Sequence, residues 1–210
     1  PQAFFVKKLI ICEGKTECGF LRAMDSWNEK RCGANFSTNG VVVVDAGGGN
    51  KMYTYAIELK RMGYDVCVFA DNDVHKELSD KINAASEASI PLFLCREGHC
   101  LEKEIITSVS WNAVISLTQC DENNFPTHNI ELSDDRKARI SNATSEEERQ
   151  TIREEIILEA TKKNHEWFKH IPGGEFLGNI VLNDMSDISN DNNLKKNIIG
   201  LTEWCGFEQG

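Results

Sequence analysis

The chain has 210 residues, 40% of them hydrophobic, and its 23 Lys and Arg against 33 Asp and Glu give a formal net charge of −10. This length can bury one core with an appendage or two small domains. The acidic balance argues against a protein that coats DNA, because such a protein neutralises phosphates with a basic surface. It leaves room for metal-dependent phosphodiester chemistry, in which carboxylates gather and bound ions supply the positive charge.

The eight cysteines form no CxxC pair. Disulfide frameworks are typical of short secreted chains, so we expect thiols in a reducing cytoplasm. Cys95, His99 and Cys100 are close in sequence, but such a cluster without a second pair is a weak zinc signal. We expect no membrane span, because no apolar run is long enough, and we find no targeting peptide. The abrupt start in a strand-like segment is expected of a piece of a longer protein.

Strand and helix signals alternate through the first two-thirds of the chain. Four apolar runs predict strands, at residues 4–12, 41–45, 66–70 and 90–95. Apolar residues at helical spacing predict helices over residues 17–30 and 51–62, the second ended by Gly63. Fully apolar strands separated by helices indicate a mostly parallel sheet that is covered on both faces, which is an α/β fold.

The sequence changes character at about residue 111. Residues 121–145 are polar, rich in Asn and charged side chains, and predict a loop or mobile segment. Thr144 predicts the start of a long helix that ends near residue 167, with Glu147 three positions later completing a capping box. We therefore expect a helical insertion on the α/β core.

The last part of the chain begins with a break at Pro172-Gly173-Gly174. A short apolar strand or helix is predicted over residues 176–182, and a final helix over residues 194–204. The expected organisation is an α/β core, a helical insertion with a polar loop, and a C-terminal segment that completes the core region: residues 1–110, 111–168 and 169–210.

Acidic residues follow two of the predicted strands directly. Glu13 ends the first strand, and Gly14 permits a tight turn that lets Glu13 and Glu17 both face the carboxyl edge of the sheet, where open α/β sheets bind ligands. Asp71 and Asp73 follow another strand, and alternate residues leaving a strand point the same way. Carboxylate oxygens suit Mg²⁺ or Mn²⁺ rather than zinc. Such ions activate water and stabilise charge in phosphoryl transfer.

Three stretches together resemble the Toprim domain that topoisomerases, primases and OLD-family nucleases share: EGKTE at 13–17, DAGGGNK at 45–51 and DND at 71–73. The forms EGKTE and GGGNK look more like OLD (overcoming lysogenization defect) and Gabija-type nucleases than like topoisomerases or primases. The core resemblance covers about residues 8–107. The C-terminal third matches more loosely, through WFK at 167–169 and the Gly-Gly-Glu that follows.

The resemblance implies a nickase or endonuclease that cuts DNA with two Mg²⁺ or Mn²⁺ ions. It also implies an N-terminal ABC-type ATPase fused to this part and a role in bacterial antiphage defence. No Gly-x-x-x-x-Gly-Lys-Ser/Thr loop is present, so we expect no nucleotide site in this chain. OLD-like proteins tend to dimerise, often through parts outside this region, so a homodimer stays open.

The resemblance further implies roles for individual acidic residues. By this resemblance the core metal ligands correspond to Glu13, Asp71 and Asp73. Glu17 corresponds to a residue that helps to hold a second ion. Glu102 matches an additional acid of the OLD nucleases, with Glu104 as the alternative because the register is open. On a helix these two cannot share a face, so we expect only one of them at the metals. A solvent-exposed helix charge is the other interpretation of either residue.

Basic and glycine residues near these motifs are weaker candidates. Lys169 matches the basic residue that these nucleases place near the scissile phosphate, where a cation stabilises developing charge; a lysine near a helix C-terminus also complements the helix dipole. Lys15 and Lys51 are candidates for phosphate contact. Amide groups at Gly48 and Gly49 open a helix and suit an anion, although a glycine cluster also simply allows a turn.

Two other functions fit the same sequence. The first is cleavage of RNA or tRNA, since metal chemistry does not distinguish the substrates and no element for recognising a 2′-hydroxyl is evident. The second is a non-catalytic Toprim module for dimerisation or DNA docking. The complete acidic set disfavours this second alternative, because a degenerate site usually loses a carboxylate.

Overall fold

The structure is a computed structural model that describes residues 7–118, 133–162 and 167–207. The strands in these ranges are β1 Lys8–Cys12, β2 Val41–Asp45, β3 Asp65–Ala70 and β4 Leu92–Leu94. The helices are α1 Lys15–Cys32, α2 Gly49–Arg61, α3 His75–Glu87, α4 Leu101–Ser108, α5 Trp111–Thr118, α6 Asp134–Asn142, α7 Glu146–Ala160, α8 Ile171–Asn183 and α9 Asn193–Trp204.

The four strands form one sheet in the order β2-β1-β3-β4, and every pairing in it is parallel. In the central register, Cys12 of β1 lies opposite Phe69 of β3. The carboxyl ends of β1 and β3 therefore meet at one edge of the sheet. This adjacency brings the residues that follow the two strands, Glu13 and Asp71, into one region.

Helices cover both faces of the sheet because alternate strand residues point to opposite sides. Ile10 and Cys12 belong to a large core that includes residues of α1, α4, α8 and α9. Leu9 and Ile11 belong to a smaller core with residues of α2 and α3. The predicted α/β fold with a covered, parallel sheet is confirmed. None of the helices in the described ranges combines the length and apolar character needed to cross a membrane.

Helices α1 and α8 pack at very short range through glycines. A side-chain carbon at Gly19 would overlap the carbonyl oxygen of Ile171, and one at Gly174 would overlap that of Thr16. The segment Pro172-Gly173-Gly174, predicted as a break, instead lies in the first turn of α8. Proline is tolerated there because the first-turn amides have no partner within the helix. This packing brings the chain just before α8 to the start of α1.

The insertion contains more helix than the sequence predicts. Residues 121–132 of the expected loop lie outside the described residues, but α6 occupies much of the remainder. The Ser133 hydroxyl caps α6 and Ile140 is buried against the main core, which explains why this polar stretch folds. The next helix, α7, is capped by Ser145 rather than by Thr144 and ends at Ala160. Residues 176–182 are helical, within α8.

Candidate functional site

The turn between β1 and α1 holds two acidic side chains. Glu17 lies in the first turn of α1, and its Oε2 accepts a hydrogen bond from the Gly14 amide at 3.1 Å. This bond folds the carboxylate back over the turn, where only 4% of the residue is exposed. Glu13, at the end of β1, is partly buried. The turn thus holds both acids at the carboxyl edge of the sheet, where the sequence predicted them.

The glycine loop after β2 contacts Glu13. The Gly48 amide donates to the Glu13 carbonyl at 2.9 Å, and the Gly49 backbone amide lowers the pKa of the Glu13 carboxyl. A side chain at position 49 would come within 3.2 Å of that carboxylate. Gly48 also has φ of +129°, which L side chains rarely adopt. The loop therefore holds the backbone of Glu13 and packs against its carboxylate, and the contact of Gly48 and Gly49 with an incoming anion stays a prediction.

The Asp-Asn-Asp loop after β3 is held by hydrogen bonds along its length. Asp71 Oδ1 accepts from the Leu101 amide at 2.6 Å, which ties it to the N-terminus of α4. The Asn72 side-chain amide donates to the Cys95 carbonyl at 3.0 Å, and the Asn72 backbone amide donates to the His99 carbonyl at 2.9 Å. Asn72 therefore fixes the loop on which the two aspartates sit. Asn72 was not predicted as a site residue, although asparagine is favoured in turns for such bonding.

Glu102 and Glu104 are both fully buried on α4, so the interpretation of a solvent-exposed charge is wrong for each. Glu104 lies 2.9 Å from Arg96 Nε and 2.8 Å from His99 Nδ1, and it also accepts from Asn193. Its carboxylate is therefore satisfied within the fold. Glu102 Oε1 lies 3.0 Å from Lys169 Nζ, yet neither oxygen of Glu102 accepts a well-formed hydrogen bond within the described ranges.

Lys169 is placed by the loop that precedes α8. The Thr16 hydroxyl donates to the Phe168 carbonyl at 3.0 Å across 152 residues of sequence. Phe168 itself has φ of +61°, an uncommon conformation for a residue with a side chain. Lys169 lies before a helix N-terminus and nine positions beyond the end of α7, so the helix-dipole interpretation is wrong. The Thr16 contact was missed because no local signal reveals so distant a partner.

The residues proposed for the metal site influence one another electrostatically, and we call their carboxylates the acidic cluster: Glu13, Glu17, Asp71, Asp73 and Glu102. Burial raises the pKa of Glu17 to about 7, and Glu102 and Glu13 contribute to the rise. Burial, with Glu17 and Glu102, also raises the pKa of Asp71 well above its usual value.

The pKa values of Glu13 and Lys169 also depend on the neighbouring charges of the site. Burial and Asp73 raise the pKa of Glu13, against the opposing effects of the Gly49 amide and Lys169. Burial lowers the pKa of Lys169, but Glu102 and Asp71 outweigh burial, so that pKa is raised. The fold therefore gathers all six residues, which the sequence distributes from position 13 to position 169.

A divalent cation fits the chemistry of the acidic cluster. Buried carboxylates are costly without compensating charge, and Glu102 has hydrogen-bonding capacity to spare. An all-oxygen set suits Mg²⁺ or Mn²⁺, and Mg²⁺ usually keeps several waters while binding one or two carboxylates. Over the ranges that the structure describes, no group of three or more His, Cys, Asp or Glu forms a ready-made metal cage. Water ligands would complete the coordination.

The two remaining lysine candidates lie at the same edge of the sheet. Lys15 begins α1 and Lys51 lies in the first turn of α2, and both are exposed. Because α1 and α2 follow the carboxyl ends of β1 and β2, both lysines are on the side of the acidic cluster. Their contact with a phosphate stays a prediction.

Comparisons with known proteins give a family-model match to part of the chain and several solved structures of similar fold. Residues 4–73 match the family model described as overcoming lysogenization defect protein-like, TOPRIM domain. This range includes four of the five carboxylates of the acidic cluster. No curated protein sequence matches the chain significantly.

Solved structures with a similar fold are the C-terminal regions of two OLD proteins. That of Xanthomonas campestris pv. campestris has a TM-score of 0.56 at 13% identity, over 96% of this chain and 95% of that chain. That of Burkholderia pseudomallei has a TM-score of 0.52 at 14% identity, over 95% and 98%. At such identities the likeness establishes the fold alone, and the family rests on the sequence match. The sequence match over residues 4–73 and the shared fold together support a Toprim domain of the OLD-family type in this chain.

Proposed function

We propose that this chain is a Mg²⁺- or Mn²⁺-dependent nuclease domain that hydrolyses DNA phosphodiester bonds. The observation that carries the proposal is the acidic cluster at the carboxyl edge of the sheet, with Lys169 beside it. In this proposal Glu13, Asp71 and Asp73 are the core metal ligands, and Glu17 and Glu102 help to hold a second ion. When bound, two such ions activate water and offset charge on the phosphate.

The protein's own groups have distinct tasks in this proposal. The Gly48 amide holds the backbone of Glu13, and the Leu101 amide holds the Asp71 carboxylate, so the fold itself orients two residues that would bind a metal. Lys169 is 46% exposed, whereas the Glu102 carboxylate beside it is 1% exposed. The Lys169 side chain can therefore meet a phosphate from solvent, and Glu102 is one of the residues that would hold a metal. A cation held there stabilises the charge that develops on the reacting phosphate.

The partners in this proposal are DNA and an ATPase domain. The solved structures with this fold are described as C-terminal regions, which supports an N-terminal part in this protein also. We propose that this part is an ABC-type ATPase that controls cleavage, in a cytoplasmic antiphage defence protein. RNA cleavage is the alternative activity, and a docking module without catalysis is the alternative from another class.

Incubation of the purified chain with nucleic acid tests the proposal. Supercoiled plasmid, linear duplex and single-stranded RNA are each incubated with Mg²⁺, with Mn²⁺ and with chelator. Nicking or linearisation of plasmid that requires metal is expected from the unaltered protein and from Asp80→Asn, an exposed acid on α3. Asp73→Asn is expected to lose it. Cleavage of RNA alone supports the alternative activity, and equal cleavage by Asp73→Asn contradicts the metal site.

A further inference from the structure

Two cysteines enclose the EGKTE turn and touch each other. Cys12 is the last residue of β1 and Cys18 lies in the first turns of α1, six positions later. Their sulfur atoms are 3.1 Å apart. Cys12 is fully buried, whereas Cys18 is partly exposed. The turn therefore carries a thiol pair in which one member can be reached from solvent.

This pair differs from the other cysteines in the described ranges. Four others are buried: Cys67, Cys95, Cys100 and Cys205. Cys32 is exposed, and among the described residues its sulfur contacts the backbone carbonyls of Asn28 at 3.1 Å and Ala34 at 4.0 Å but no second cysteine sulfur. A disulfide bond is about 2.05 Å long, so the sulfurs of Cys12 and Cys18 need approach by only about 1 Å to bond. Cys12 and Cys18 therefore combine two sulfur atoms that are close enough to bond with one thiol that an oxidant can reach from solvent.

We propose that Cys12 and Cys18 are a redox modification site, at which a peroxide closes a disulfide that switches off the acidic cluster. Cys18, the accessible thiol, attacks the peroxide oxygen and becomes a sulfenic acid, releasing water or an alcohol. The sulfur of Cys12 then attacks the Cys18 sulfur and displaces water, which closes the disulfide. Overall two thiols lose two electrons and two protons, and the peroxide is reduced. A thiol such as dithiothreitol reverses the step by exchange.

The disulfide would act on the carboxylates because of where the ring closes. Glu13 directly follows Cys12 and Glu17 directly precedes Cys18, so both acids lie inside the ring. Drawing the sulfurs together moves the end of β1 against the start of α1, which strains the bond between Glu17 and the Gly14 amide. A misplacement of about 1 Å can cost about a hundred-fold in rate. This regulatory half rests on the proposed function, whereas the disulfide itself does not.

Peptide mapping tests the disulfide independently of activity. Protein is treated with one equivalent of hydrogen peroxide, free thiols are alkylated, and trypsin is added. Cleavage after Lys8, Lys15 and Arg22 places the two cysteines in separate peptides, residues 9–15 and 16–22. A dithiothreitol-sensitive link between these peptides is expected in the unaltered protein and in Cys32→Ser. It is expected to be absent from Cys18→Ser and, as a second test, from Cys12→Ser.

Mn²⁺ binding and plasmid nicking test the regulation after catalase has removed the peroxide. Oxidation is expected to reduce the Mn²⁺-induced rise in melting temperature and to slow nicking by about ten- to a hundred-fold, with recovery in dithiothreitol. Cys18→Ser should keep both properties before and after peroxide. Preferential oxidation of Cys32 without the link would overturn the site. A link that leaves the Mn²⁺ response unchanged would overturn the regulation. Absence of nicking by the reduced protein would instead count against the nuclease function.

Discussion

Lys169 Nζ lies 3.0 Å from Oε1 of Glu102, an ion pair that joins the loop before α8 to the first turn of α4. One partner is buried and the other reaches it from solvent. An ion pair with a partly exposed partner contributes little to the free energy of unfolding, because solvent screens the exposed charge. Its placement matters more, because it brings a cation to the acidic cluster and leaves that cation accessible.

Lys169→Ala is expected to lower the rate of plasmid nicking by about a hundred- to a thousand-fold without weakening Mn²⁺ binding. The reason is that an ammonium group near the phosphate stabilises developing charge but is no metal ligand. Lys169→Arg should retain part of the rate, since guanidinium differs in shape and hydration. Lys162→Ala, which removes an exposed lysine paired with Glu159, is the matched control. Normal nicking by Lys169→Ala would remove this lysine from the active site.

Divalent metal is expected to stabilise the folded protein. A ligand that binds only the folded state raises stability by mass action, by about 2.7 kcal/mol at a concentration one hundred times its dissociation constant. Melting temperature is measured across a titration with Mn²⁺ or Ca²⁺. The rise should be lost in Asp71→Asn and kept in Asp80→Asn. An equal rise in both variants would show that the metal binds elsewhere.

The metal-free protein is expected to lose stability as the pH rises from 5 to 8. The folded-state pKa of Glu17 is about 7, against a usual value of 4.5. Protonated Glu17 therefore favours the folded state at low pH, and this contribution disappears as the pH passes through 7. The raised pKa values of Glu13 and Asp71 act in the same direction.

Urea unfolding in chelator measures this dependence, and we expect the free energy of unfolding to fall by on the order of 1 to 3 kcal/mol over that range. Glu17→Gln should flatten the slope, because the amide cannot ionise. Stability that stays constant or increases between pH 5 and 8 would contradict the buried position of Glu17.

Asp71 and Asp73 are expected to differ in their contribution to stability without metal. Asp71 accepts the Leu101 amide at the start of α4, so Asp71→Ala should cost about 1 kcal/mol, the usual loss on removing a helix cap. Asp73 is exposed and adds charge to a crowded cluster, so Asp73→Asn should leave stability unchanged or raise it. Chemical denaturation of both variants checks this order. A larger loss in Asp73→Asn than in Asp71→Ala would reverse the assignment.

Thr16→Val is expected to slow nicking because it releases the loop that carries Lys169. The variant keeps the shape of the side chain but loses the hydroxyl that donates to the Phe168 carbonyl. The stability cost should be about 1 kcal/mol, the usual net value of a hydrogen bond. Thr16→Ser retains the donor and should restore both rate and stability. If Thr16→Ser behaves like Thr16→Val, the methyl group rather than the hydrogen bond is what matters.

The sequence by itself determined the sheet and the positions of the first carboxylates. β1, β2 and β3 were predicted within a few residues, because strands buried on both faces are continuously apolar. Glu13 and Asp71 follow β1 and β3 directly, and parallel strands align their carboxyl ends. These are local properties of the chain, so a sequence pattern can carry them.

Tertiary packing alone decided which distant groups meet. Glu102 and Glu104 are two positions apart in the sequence. The fold nevertheless places Glu102 beside Lys169, and Glu104 beside Arg96 and His99. The Gly-Gly pair of α8 was predicted as a break because glycine disfavours helices, whereas its close approach to α1 requires residues without side chains. Contacts of this kind depend on the register of the sheet and on interhelical distance, which no short stretch of sequence specifies.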